Sequence, residues 1–134
     1  MPSFKHLFLL LTATLMLAAC SSGDSPEDVS RSFLEAVYQN EPDQAFKLIE
    51  IPKDARPGME DMVRGKLKGR LAENARKTAS LGGLSSIDVA KAEYNPEKTL
   101  ATTSATVTFK NADAPKRQEQ LRLVKGDHGW KIRL

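Results

Sequence analysis

At 134 residues the chain is long enough for one domain and too short for two ordinary ones. With 40% hydrophobic and 28% charged residues it is neither a disordered chain nor a multi-span membrane protein, and a net charge of +3 does not by itself mark a nucleic-acid binder. A single cysteine excludes an intrachain disulfide and any Cys-rich zinc site.

Met1 to His6 carries one fixed positive charge, Lys5, and the run from Leu7 to Leu17 is apolar apart from Thr12 and Thr14. That run is too short to cross a hydrocarbon core, which takes ~20 residues. Polar punctuation follows at Ser21-Ser22-Gly23-Asp24, so the segment reads as a secretory leader. Its end, Leu17-Ala18-Ala19-Cys20, resembles the lipobox of bacterial lipoproteins. The resemblance implies diacylglycerol transfer to the Cys20 sulfur, cleavage before Cys20 and acylation of the new terminus. Ser21 resembles the outer-membrane sorting pattern. Each buried CH₂ contributes ~0.8 kcal/mol, so two or three acyl chains hold a protein where one would exchange. The expected organisation is a leader over 1–19, a lipidated cysteine and tether over 20–24, and one domain over 25–134. An alkylated Cys20 serves neither as a catalytic thiol nor as a metal ligand.

Ser25-Pro26-Glu27-Asp28 has a capping serine, a proline suited to the first helical position and two acids at the positive end of a helix dipole. Val29, Phe33, Ala36 and Val37 then form one apolar stripe. Ala45, Phe46, Leu48 and Ile49 predict a short second helix, closed by Pro52 and Pro57. A third helix is predicted from about Pro57 to Ser80, with Met59, Val63, Leu67, Leu71 and Ala75 as its ridge and Leu81-Gly82-Gly83 as its end. A strict i+4 ridge drifts around the axis and suits a helix laid diagonally across a twisted sheet.

From Leu84 the period becomes two. Ile87 and Val89; Ala105, Val107 and Phe109; Leu121 and Leu123; and Trp130, Ile132 and Leu134 each alternate with polar residues. Turns fall at 95–98, 111–115 and 125–129. The expectation is α+β, three N-terminal helices covering one face of a curved four-stranded antiparallel meander. This order, with Ser-Pro-Glu-Asp at its start and Gly-Trp-Lys-Ile at its end, resembles small bacterial lipoproteins of nuclear-transport-factor-2-like fold, a cone of curved sheet and helices. That fold serves isomerases, dehydratases and binding modules alike, so it assigns no activity. Residues 51–57 are too few for the extra hairpin of larger members, which implies a shallow or open cone.

Charge is unevenly spread. Asp24 to Glu50 holds seven acids and two bases, and Arg64 to Lys77 holds six bases and one acid. The cancelling sums favour acidic first and second helices neutralising a basic third one; the alternative is a patch for lipid headgroups, phosphate or an acidic partner. Lys66 and Arg70 flank Leu67 and Leu71 and turn one edge of the buried stripe cationic. They either hold the carboxylate or phosphate of a small ligand or lay their stems on the sheet rim with the charges in water. Gly65 and Gly69 each cost ~1 kcal/mol relative to alanine inside a helix. They imply close approach by another backbone, from the first helix or from a second subunit.

His128, the lone histidine after the leader, falls in a turn, and no catalytic or phosphate-loop motif or metal-ligand spacing appears. No catalytic residue, metal or cofactor is therefore expected, and export with near-balanced charge and 6% aromatics disfavours nucleic acid. Asp61 and Glu60 sit where a helix start attracts acids anyway, and Tyr38, Tyr94 and Trp130 suit the core or its rim. The leading expectation is a non-enzymatic lipoprotein on the periplasmic face of the outer membrane, binding or scaffolding an envelope protein or a small anionic or hydrophobic ligand. The alternatives are an enzyme acting on a small hydrophobic molecule inside the cone, with an acid buried among Phe33, Leu67, Val107 and Trp130, and a self-associating structural protein.

Overall fold

The computed structural model of the chain describes residues 25–134; the leader, the lipobox and the tether lie outside the described residues. Ser25 caps α1 (Pro26–Tyr38) as its sequence predicts, its Oγ accepting a hydrogen bond from the Asp28 amide at 3.1 Å. After Asn40, at φ 57, the chain turns into α2 (Pro42–Lys47). The long α3 (Met59–Ser80) starts behind Gly58, with Glu60 and Asp61 in its first turn. It stops where the Gly82 and Gly83 amides donate back to the Ala79 and Thr78 carbonyls. Gly82 sits at φ +84, and a Cβ there would lie 3.0 Å from the Asn111 amide nitrogen, so the stop requires glycine.

The sheet comprises β1 (Leu84–Val89), β2 (Glu93–Tyr94), β3 (Leu100–Phe109), β4 (Arg117–Gly126) and β5 (Gly129–Arg133). Its order is β1-β3-β4-β5, all antiparallel, with β2 extending β1 along the same edge of β3. The expected meander is therefore present. It has one strand more than predicted, because β3 runs back to Leu100 and pairs with Glu93 and Tyr94. Both outer strands are shielded. The Glu50 amide donates to the Ile132 carbonyl at 2.8 Å and the Ile132 amide to the Leu48 carbonyl at 2.7 Å, which covers β5. Arg31 Nη1 reaches from α1 to the Ile87 carbonyl on β1 at 3.1 Å.

The concave face carries the core. Ala101, Thr103, Ala105, Val107 and Phe109 of β3, Leu123 of β4 and Trp130 and Ile132 of β5 are buried against Val29, Phe33, Leu34 and Ala36 of α1. One polar contact crosses it: the hydroxyls of Ser30 and Thr103, both fully buried, lie 2.6 Å apart and satisfy each other.

The third helix corrects three expectations. Leu67 and Leu71 are buried and Val63 is half-buried, as the ridge predicts, but α3 packs chiefly on α1 and α2 rather than across the sheet. Its inward face is too interrupted by charge to seal onto β4, and a gap remains. Gly65 and Gly69 face open space, with nothing within 4 Å of where a Cβ would be, so among the described residues no other element's backbone approaches them. Within the described domain the two glycines therefore only weaken the helix, and the second-subunit alternative is decided by substitution. Gly65→Ala and Gly69→Ala are each expected to raise the unfolding free energy by about 0.8–1 kcal/mol in urea titrations; a loss would return that face to contact with a second subunit.

The acidic helices also do not neutralise α3. Among the described residues, one ion pair joins it to them, Arg64 to Asp43 at 3.4 Å, with the Arg64 guanidinium 3.9 Å from the centre of the Phe46 ring. Glu27 instead accepts from the Ala92 amide at 2.7 Å, and Glu50 pairs with Arg133 of β5 at 2.9 Å. Both acids serve the sheet, leaving most of the charge on α3 uncompensated.

Candidate functional site

The gap between α3 and the sheet is a cavity of about 540 Å³. Phe33, Val37 and Tyr38 from the last half of α1 form its back wall, and Val63, Leu67 and Leu71 of α3 form one side. Arg117 and Glu119 of β4 form the other side, and Leu134 stands at the rim, 79% exposed. The size lies within the usual 300–1,000 Å³ of small-molecule sites, and mostly apolar walls with a few polar groups are the usual lining.

Lys66 and Arg70, the two cations predicted at the edge of the buried stripe, both line this cavity. They are joined along α3 by Glu73, Asn74 and Lys77, which continue the same helical face toward the C-terminal end. The six charged side chains of the lining sort into two groups. Lys77 pairs with Glu73 at 3.2 Å, and Arg117 pairs with Glu119 at 3.3 Å. Lys66 and Arg70 form no salt bridge with any described residue.

The inner wall holds a polar cluster that the sequence reading did not single out. The Tyr38 hydroxyl donates to Glu119 Oε1 at 2.7 Å, Arg117 approaches the same oxygen, and Arg117 Nη1 donates to Asn74 Oδ1 at 3.3 Å. Asn74 Nδ2 is buried without a partner among the described residues. Burial raises the Tyr38 phenol well above its ordinary pKa, the Glu119 carboxylate raises it further, and Arg117 opposes both in part. The phenol is thus a proton donor held on a carboxylate. A signal for this cluster existed: Arg117 and Glu119 share the parity of Leu121 and Leu123, so the alternation of β4 carries two charged side chains onto the concave face.

The other candidates lie elsewhere. His128 is exposed in the β4–β5 turn, and Glu60 and Asp61 are exposed at the start of α3. Tyr94 is a rim residue whose ring meets the edge of Trp130, centroids 5.8 Å apart. Phe33, Leu67, Val107 and Trp130 are all core, and no carboxylate lies among the buried residues of the described chain. The acid expected at their centre is not there; Glu119, part-exposed on the cavity wall, is the nearest approach to one. Among the described residues no three His, Cys, Asp or Glu side chains converge to hold a metal, and no helix is long and apolar enough to cross a membrane.

No family model matches the sequence, and no curated protein matches it significantly. Solved structures do match the fold. A Campylobacter jejuni protein described as an NTF2-like transpeptidase superposes with a TM-score of 0.73 at 24% identity, over 82% of this chain and 98% of its own. A Thiobacillus denitrificans protein described as a calcium/calmodulin-dependent protein kinase type II association domain gives 0.53 at 10% identity, over 82% and 90%. A SEC-C motif containing protein from Rhodopseudomonas palustris gives 0.50 at 14% identity, over 84% and 78%. Helices lying on a curled antiparallel half-barrel, with a cavity left between them, make the fold of this chain NTF2-like, as its order of elements implies.

Proposed function

We propose that this chain is a lipid-anchored envelope protein whose domain binds a small ligand in the cavity between α3, α1 and β4. One observation carries the reading: the long helix stands off the sheet and leaves an apolar-walled space of about 540 Å³ with two uncompensated cations at its edge. A scaffolding domain has no use for such a space, whereas a concave, mostly apolar cleft with a few charged groups is the usual form of a small-molecule site. The leader and the Leu17-Ala18-Ala19-Cys20 sequence support attachment through Cys20, with Ser21 favouring the outer membrane and its periplasmic face. Acyl chains on that residue would leave only the tether over 21–24 between bilayer and domain, so the ligand is met close to the membrane.

The binding reading is tested with the domain from Ser25 onward, which contains every described element and the whole core. A neutral apolar fluorophore, N-phenyl-1-naphthylamine, is expected to bind it. Val63→Trp, which places an indole in the cavity from a half-buried position, is expected to weaken that binding about tenfold while circular dichroism stays unchanged. Absence of fluorophore binding would end the reading. The anchor is checked separately by mass spectrometry of the membrane-extracted protein, where Cys20→Ser should abolish acylation.

An enzyme acting on a small hydrophobic molecule is the second reading, and Glu119 is the residue that favours it, being the one carboxylate on the cavity's inner wall. Its Oε1 is already engaged by Tyr38 and Arg117. Binding is the better supported of the two because those contacts fix the carboxylate in place instead of offering it to a substrate.

A further inference from the structure

Resting on the binding reading, we infer that the ligand is a single-chain amphiphile with one anionic headgroup, the head held by Lys66 and Arg70 and the chain laid along Val63 and Val37 toward Leu134. Three features of the lining lead there.

The first is charge. Four cationic and two acidic side chains line the cavity, and each acidic one is already matched to a cation, Glu73 to Lys77 and Glu119 to Arg117. What remains uncompensated is Lys66 and Arg70, one helical turn apart on the same face, where like charges repel. A single anion placed between them relieves that repulsion and accepts charge-assisted hydrogen bonds from both.

The second is the position of the apolar surface. Val63, Leu67 and Leu71 form the row next to Lys66 and Arg70 on α3, turned inward toward Phe33 and Val37, and Leu134 stands largely exposed at the rim. A headgroup on the cationic row therefore places its chain on the aliphatic one without crossing a polar strip. A short hydrophilic anion such as free phosphate would leave half-buried Val63 and Val37 and exposed Leu134 in contact with water.

The third is the far wall. Glu119 presents a carboxylate there, fixed by Tyr38 at 2.7 Å. Arg117 on that wall is already engaged by Glu119, so a second anionic group at the other end of the ligand would find no free cation there and would lose its hydration without return. The site is built for one negative charge and an apolar remainder.

The test titrates the domain from Ser25 onward, calorimetrically and below micelle formation, with decanoate, decyl phosphate, decanol, decyltrimethylammonium and the dianion decanedioate. Decanoate or decyl phosphate is expected to bind about tenfold or more tighter than decanol, decyltrimethylammonium and decanedioate. Whichever of the two wins identifies the headgroup as carboxylate or phosphate. Lys66→Gln with Arg70→Gln, both exposed positions whose loss leaves the core intact, is expected to erase that advantage to within about twofold and leave decanol binding unchanged. Equal binding of decanoate, decyl phosphate and decanol, or full retention of anion preference in the double variant, overturns the inference. If the neutral fluorophore binds and Val63→Trp blocks it, such a result removes the headgroup assignment alone; if the fluorophore does not bind, the binding reading falls with it.

Discussion

Leu123→Ala is expected to lower the unfolding free energy by about 3 kcal/mol, while Leu100→Ala, which removes the same atoms, costs under about 1 kcal/mol. Both residues are cross-strand partners in the β3–β4 pair, Leu123 opposite Ala101 and Leu100 opposite Val124. They differ in what covers them. Leu123 is 1% exposed, on the concave face in the middle of the sheet, with Ile132 paired to it from β5. Truncation there opens a void that its small cross-strand neighbour Ala101 cannot refill. Leu100 is 41% exposed at the start of β3, and its loss opens no void. Thermal unfolding of the two variants separates the cases, since about 3 kcal/mol in a domain of this size shifts the midpoint by roughly 10 °C or more. Equal shifts would mean that Leu123 does not stand at the centre of the core.

The same contrast between local and non-local information decides what could be read from the sequence. The Ser25 cap, the two-glycine stop after Ser80 and the alternation of β3, β4 and β5 are written in residues adjacent to the elements they define. They are legible because caps, turns and periodicity act over a few positions. The short β2 is different: Glu93 and Tyr94 form a strand because β3 extends back to Leu100 and offers partners at Ala101 and Thr102. Nothing local demands it. The placement of α3 was illegible for a related reason. A ridge at i+4 says which face is buried but not what buries it, and α1 and α2 were chosen over the sheet.

The candidate site divides along that line. Lys66 and Arg70 were readable as a cationic edge because Leu67 and Leu71 beside them fix the buried face of the helix. Arg117 and Glu119 were equally readable, four and two positions before Leu121 on a strand of period two, but a reading that stops at the last apolar residue passes over them. That Tyr38 reaches Glu119 depends on how the end of α1 crosses β4, a tertiary fact without local signature. The charge blocks taught the reverse lesson. Equal and opposite sums suggested mutual neutralisation, yet Glu27 and Glu50 turn to the sheet and the cations of α3 stay uncompensated, because side-chain reach rather than net charge selects partners. The anionic preference proposed for the cavity rests on that imbalance.

Tyr38→Phe is expected to cost about 2 kcal/mol at pH 7, and the cost is expected to shrink at alkaline pH. The Tyr38 side chain is 4% exposed and its hydroxyl donates to a part-buried carboxylate. A hydrogen bond to a charged group contributes about 1.5–3 kcal/mol, and removing the donor leaves Glu119 with Arg117 alone. The pH dependence follows from the phenol. Burial first, and the neighbouring Glu119 second, raise its folded-state pKa above the unfolded value of about 10. The folded state therefore holds this proton more tightly than the unfolded state. The resulting stabilisation is fully present below pH 10 and is lost as pH rises from there through the folded pKa, at up to about 1.4 kcal/mol per pH unit. The phenylalanine variant has no such proton to lose. Denaturant titrations of both proteins at pH 8 and pH 11 should show the gap between them narrowing at the higher pH. A constant gap would mean that the phenol titrates alike in both states and that the contact with Glu119 does not hold in solution. Narrowing supports the part assigned to Tyr38 in the site: a neutral donor that keeps Glu119 fixed on the far wall, so that the one place left for a ligand's negative charge is the row of Lys66 and Arg70.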